Sequence, residues 1–171
     1  EFEAEGKIGK PVSGYAQFTC WYPDIPGSWR QTKATAGGGA FMDMGVHCVD
    51  LIRHITGLEV TEAAGLVGNQ VFNYSVEDAG GVIMRLSNGA VAYVDANFNI
   101  PDAAAKCKIE FYGTKGSMIA VGTLSQVEGG EVEVCECEPL ENKEKKEQKA
   151  EVISDAAVTE ELKRRFAFSY P

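Results

Sequence analysis

Residues Gly37 to Gly57, GGGAFMDMGVHCVDLIRHITG, constrain the fold more than any other stretch of the chain. Three successive glycines let the backbone turn tightly, the residues after them repeat with helical periodicity, and Gly57 behind Thr56 is a natural C-terminal stop. The pattern predicts a helix from Phe41 to Thr56. At about 100° per residue, Asp43, His47, Asp50 and His54 share a stripe roughly 60° wide. Phe41, Met44, Cys48, Leu51 and Ile55 flank it on one side. Met42, Val46 and Val49 flank it on the other, with Arg53 the one charge among them. A surface helix shows a broad charged face, so a narrow acid and imidazole stripe between apolar flanks points to a polar cleft. Satisfaction by backbone groups, or a place at a wet domain edge, is the plainer alternative. The pairing of Asp43 with His47 four residues on, directly behind the glycines, favours the cleft.

With 171 residues the chain suits one domain with a substantial core. A formal net charge of -9 and the lack of any basic stripe exclude a general nucleic-acid binder. Five cysteines form no CxxC pair, and no secretion signal precedes them, so reduced thiols in a cytoplasmic protein are expected. No apolar run reaches membrane-spanning length, so no membrane partner is expected. The Asn73-Tyr74-Ser75 glycosylation match has no weight without secretion.

Taken in order, Glu1 to Lys10 starts abruptly among charges and Ser169-Tyr170-Pro171 stops just past a helical pattern, as if cut from a longer polypeptide. Val12 to Tyr22 alternates as a strand, with Ala16, Phe18, Cys20 and Tyr22 on one face and Ser13, Gln17 and Thr19 on the other. The loop Pro23 to Gly27 delivers Trp29 and Arg30, an aromatic plane and a guanidinium that could border a ligand pocket or simply pack at its rim. Strands follow at Glu59 to Val67, Ala79 to Leu86 and Ala90 to Phe98. Asn88-Gly89 joins the last two as a type I′ hairpin turn, since both residues tolerate positive φ. Cys107 to Tyr112 and Ser117 to Val121 flank Gly113-Thr114-Lys115-Gly116, which is only a turn because P-loop spacing and a following helix are missing. Glu131 to Cys137 reads as an exposed or edge strand, Asn142 to Glu151 as a solvated loop or strand end, and Thr159 to Phe168 as a helix. One main helix, a later one and some seven strands give an α+β domain with a mostly antiparallel sheet. No GxGxxG opens a helix behind a strand, so no Rossmann cofactor site is expected within the chain.

The glycine-led Asp and His stretch resembles the signature of the C-terminal domain of the Gfo/Idh/MocA oxidoreductases, the glucose-fructose oxidoreductase and inositol dehydrogenase family. Ile8-Gly9-Lys10-Pro11 is similar to that domain's entry, Trp29-Arg30 to its Trp-Arg pair, Glu77-Asp78-Ala79 to the lead into its next strand, and IEFYGTKGSMI from Ile109 to its late hairpin. The resemblance implies an open, mostly antiparallel (mixed) β-sheet with helices on one face, as in dihydrodipicolinate reductase-like and glyceraldehyde-3-phosphate dehydrogenase-like C-terminal domains. It implies that residues 1–171 form a substrate-binding and oligomerisation domain, paired in the parent with a Rossmann half that binds NAD or NADP, and that this chain alone binds neither.

By the same resemblance His47 is the catalytic acid/base, Asp43 its acidic neighbour, and Trp29 and Arg30 touch substrate. Oxidising a sugar or cyclitol hydroxyl needs a proton acceptor as hydride leaves, and imidazole titrates near operating pH. The family's Rossmann half carries a Glu-Lys-Pro motif whose lysine shares that transfer; it is not in this chain. Homo-oligomerisation through the open sheet face is implied too. Two other readings remain: a non-catalytic sugar-binding or assembly module of the same fold, and a metal site on His47, Asp50 and His54, which short-motif arithmetic disfavours.

Overall fold

A computed structural model describes residues 4–125, 129–137 and 150–153, with side chains from Gly6 to Cys137. A short helix, α1 (Ala4–Lys7), leads into β1 (Pro11–Thr19). Then come a 3-10 turn at Trp29–Gln31, one helical turn α2 (Lys33–Ala36), a π-helical turn at Phe41–Gly45, and the main helix α3 (Val46–Thr56). The remaining strands are β2 (Val60–Gly68), β3 (Ala79–Leu86), β4 (Val91–Asn97), β5 (Lys108–Gly113), β6 (Gly116–Val121), β7 (Glu131–Cys137) and β8 (Ala150–Ile153). They form one open sheet in the order β2-β3-β4-β1-β5-β6-β7-β8. All neighbours run antiparallel except β1 and β4, which lie parallel with Tyr15 opposite Tyr93 and Gln17 opposite Asp95. The expected mixed α+β sheet is present, with an eighth strand. The predicted helix over Thr159 to Phe168 and most of the 142–151 segment lie outside the described residues.

Period-two alternation sorts the sheet into two faces. On one, Ala16, Met84, Ala92, Val94, Ile109, Phe111, Met118, Ala120, Val132 and Val134 meet Cys48, Leu51, Ile52 and Ile55 of α3 in a single core. Burying each of the larger apolar side chains contributes about 1.5–3 kcal/mol. Ala16 and Ala92 are wholly buried where the helix lies close to the sheet. On the other face Leu66, Ile83, Tyr93 and Tyr112 stand exposed, Leu66 to 86%. They surround a polar cluster in which Gln17 (2.7 Å), Tyr15 (3.4 Å) and Asn97 all donate to the Asp95 carboxylate. Burial, and then Asp95, push the Tyr15 hydroxyl up to about 12. A shallow basin of about 650 Å³ opens here between Tyr15, Leu66, Ile83 and Tyr93.

Three sequence expectations need correction. The 131–137 strand is not an edge: β8 pairs along its outer side, and Val132 and Val134 reach the core. Its alternating glutamates mark the open face of an internal strand. The Asn88-Gly89 hairpin forms, but not through a type I′ turn. Among the described non-glycine residues only Cys107 has positive φ, so neither Ser87 nor Asn88 has the positive φ of a type I′ turn, and only Gly89 has it, at 89°. The Gly89 N–H closes the turn on the Leu86 carbonyl at 2.8 Å. Asn88 serves through its side chain instead, accepting from Ala90 N–H and donating to the Pro11 carbonyl. The third correction, in the first turn of the predicted Phe41 to Thr56 helix, bears on the site. The 113–116 segment is a plain hairpin tip, as expected, and it clasps the chain's entry through Thr114 N–H to Lys10 O and Lys115 N–H to Ile8 O.

Candidate functional site

Gly37 to Gly57 is built as a hinge, a bulge and a helix. Gly37 ends α2 at φ 80°, and its N–H returns to the Lys33 carbonyl. Gly39 presses its Cα against the backbone of Glu77, just before β3, where Ala40 N–H donates to the Glu77 carbonyl at 3.0 Å. A side chain at Gly39 would place Cβ 1.9 Å from that oxygen, so no larger residue fits without moving the backbone.

Phe41 to Gly45 then winds as a π turn, with Val46 N–H reaching the Phe41 carbonyl five residues back. The Phe41 ring lies over Gly45, and its Cβ lies over Gly80 of β3; a Cβ at either glycine would come within 3.0 Å of Phe41. The local sequence is uniformly helical in period, so this wedge, created by tertiary contact, left no signal there. A π bulge adds one residue to the turn, which displaces everything before it by about 100° relative to α3. Asp43 lies within this turn and is exposed. Met42, 55% exposed, comes out beside it.

The four stripe residues divide. Asp43 and half-buried His47 lie at the bulge and first turn of α3. Asp50 and His54 are exposed further along, where Asp50 stands 3.9 Å from Arg53, itself held by Glu59 at 2.6 Å. Such solvated pairs contribute little, and Asp50 belongs to a surface ion-pair network with Arg53 and Glu59. Among the described residues no three His, Cys, Asp or Glu side chains are grouped to hold a metal.

Trp29 and Arg30 come to the same surface as Asp43. The Arg30 guanidinium stacks over the Trp29 ring at 4.9 Å and sets Nε 3.6 Å from Asp43 Oδ1. Their turn is fixed by buried Gln31, whose side chain accepts from Ile25 N–H (2.8 Å) and donates to the Pro23 carbonyl (2.6 Å). Trp29 (58%), Met42 and Val46 (43%), neighbours in sequence of Arg30, Asp43 and His47, are exposed apolar side chains. Behind them Tyr22, Phe98, Met44 and Ala40 form a second, smaller core with Tyr74. Burial chiefly raises the Tyr74 hydroxyl far above its ordinary value, consistent with its donating to the Tyr22 carbonyl at 3.3 Å.

The glycine run follows a helical turn rather than a strand, and of the amides behind it Ala40 N–H donates to the Glu77 carbonyl and Asp43 N–H to the Gly39 carbonyl.

An open mixed sheet covered by one main helix is the architecture of a domain seen in solved sugar oxidoreductases. Levoglucosan dehydrogenase in complex with NADH matches it with a TM-score of 0.70 and 23% identity, over 90% of this chain and 42% of that protein. The model of the GFO/IDH/MocA C-terminal domain matches residues 1–119, and the chain belongs to this family. Among its relatives are 1,5-anhydro-D-fructose reductase of Ensifer adhaerens, 30% identical over 75% of this chain, and scyllo-inositol 2-dehydrogenase (NAD(+)) of Bacillus subtilis, 32% identical over 70%. The chain spans only 38% and 34% of the length of those two proteins. No helix among the described residues is long and apolar enough to cross a membrane.

Proposed function

We infer that this chain is the substrate-side domain of an NAD(P)-dependent oxidoreductase acting on a hydroxyl of a sugar or cyclitol, and that the dinucleotide is held by a second domain of the parent protein. The observation that carries this is the Arg30–Asp43 pair at 3.6 Å, set beside exposed Trp29 and Met42, with His47 four residues beyond Asp43 at the start of the main helix. Polar groups able to grip hydroxyls sit there beside exposed apolar side chains suited to being covered by another domain. In that site His47 takes the hydroxyl proton as hydride departs, and Asp43, steadied by Arg30, accepts a hydrogen bond from a neighbouring hydroxyl. The bound nicotinamide supplies the hydride acceptor; this chain's residues bind, orient and move the proton. The chain alone is expected neither to bind dinucleotide tightly nor to turn over.

The test is made in the complete oxidoreductase. General acid/base help is worth about 10² to 10⁴ in rate, so His47→Ala should lower kcat by that order. Asp43→Asn should change both KM and the pH profile. If His47→Ala lowers the melting temperature while kcat stays near normal, the residue is structural and the domain reads instead as a binding or assembly module. The open face, with Leu66, Ile83 and Tyr93 exposed, is proposed to pair with its counterpart in a second copy.

A further inference from the structure

The segment from Asn69 to Glu77 has a buried fastening that the site chemistry does not use. Asp78, at the start of β3, is wholly buried. Its carboxylate turns back over the segment, Oδ1 accepting from Gln70 N–H (2.8 Å) and Asn99 Nδ2 (3.1 Å), and Oδ2 from Val71 and Phe72 N–H (2.8 Å each). Burial pushes its pKa upward, but the three backbone N–H donors and Asn99 outweigh burial and leave it below the ordinary carboxylate value. The charge is thus held by oriented donors, an arrangement that tolerates little movement of the groups making it.

The fastened segment makes two further contacts, two residues apart. Ser75 N–H and Oγ both donate to the Gln31 carbonyl at 3.2 Å, and Ser75 Oγ accepts from Lys33 N–H at 2.9 Å, gripping the turn that carries Trp29 and Arg30. The Glu77 carbonyl takes Ala40 N–H and lies where any side chain on Gly39 would collide, gripping the hinge that carries Asp43. Both partners of the Arg30–Asp43 pair therefore hang on the segment that Asp78 closes.

We propose that Asp78 is a positioning residue for the candidate site: its buried carboxylate fixes the 69–77 segment and, through Ser75 and Glu77, sets Arg30 against Asp43. The relevance to catalysis rests on the function proposed above; the positioning itself does not. Glu77 provides an internal control, since it acts through its backbone and Glu77→Gln leaves that carbonyl in place.

The experiment compares the unaltered chain with Asp78→Asn, Glu77→Gln and Asp43→Asn by NMR in native buffer. In Asp78→Asn, amide exchange of Ala40, Asp43 and Ser75 should rise at least about tenfold along with that of Gln70 to Phe72, while Ile109 and Met118 in β5 and β6 stay protected. The Arg30 Nε–H resonance should move to the position it takes in Asp43→Asn, where the pair is removed directly. Glu77→Gln should change neither. Faster exchange confined to Gln70 to Phe72, acceleration shared equally by β5 and β6, or an unmoved Arg30 resonance would each overturn the proposal. Because these signals are read on the chain itself, their failure is distinct from a failure of the His47→Ala kinetics.

Discussion

Replacing Gly39 by alanine puts the hinge to its hardest test. The new Cβ would lie 1.9 Å from the Glu77 carbonyl oxygen and 2.8 and 2.9 Å from that residue's C and N atoms. Relief requires the two backbones to part by about 1 Å in a close-packed interior. That movement gives up the 3.0 Å bond from Ala40 N–H to Glu77. Losing a buried backbone partner costs about 1–3 kcal/mol, and overpacking about 1–3 kcal/mol more. The central expectation is about 4 kcal/mol, which for a domain of this size lowers the melting temperature by about 8–16 °C. Two other glycines calibrate the result. Gly37 and Gly57 have φ of 80° and 67°, with nothing within 4 Å of a built Cβ, so alanine there meets only left-handed strain. That strain is about 1–2 kcal/mol. Urea unfolding followed by circular dichroism, with all three variants showing a common slope, would rank them. A Gly39→Ala midpoint at or above that of Gly57→Ala would refute the close-approach explanation and leave the glycine run as a flexible connector.

Other expectations follow from groups away from the hinge. Asp78 has a folded pKa below its ordinary 3.8, so its stabilisation is complete above that value and is lost as pH falls through the depressed one. The difference in unfolding free energy between the unaltered chain and Asp78→Asn should therefore be largest near neutrality and shrink below about pH 4; urea titrations giving a constant difference from about pH 6 to about pH 2 would contradict it. On the open face, Ile83→Glu or Tyr93→Glu should convert a self-associating chain to monomer in sedimentation at micromolar concentration without loss of far-ultraviolet dichroism, and an unaltered chain that is already monomeric there would remove the pairing proposal.

Periodicity carried most of the architecture, because alternation in Ala79–Leu86 or Val91–Asn97 reports directly which residues face the core. It could not report partners. The glutamates of β7 alternate in the same way whether the strand ends a sheet or lies inside one, and nothing local to β1 says that its neighbour β4 runs parallel to it. The π turn was illegible for a related reason: Phe41 is wedged between Gly45 and Gly80, and only the second of these contacts, far away in sequence, explains why a normal helical turn gives way. Arg30 and Asp43 stood out individually, as a guanidinium beside an aromatic and an acid behind glycines; their ion pair depends on the path of the 69–77 segment. The one written trace of that path was Glu77-Asp78 at the mouth of a strand, an acid placed where a core was about to begin.

The single parallel contact also orders events during synthesis. Strands β2 to β4 form one meander and β5 to β7 another, and each can zip locally, but β1 alone joins them, lying between β4 and β5. Gln17 must wait for Asp95, 78 residues later. At about 5–20 residues per second the ribosome delivers that partner about 4–16 s after β1 has left it. Throughout that interval the strand destined for the middle of the sheet has both edges unpaired. The two meanders become one sheet only when β1 is captured between them, so its residues wait for partners on both sides that are made long after it.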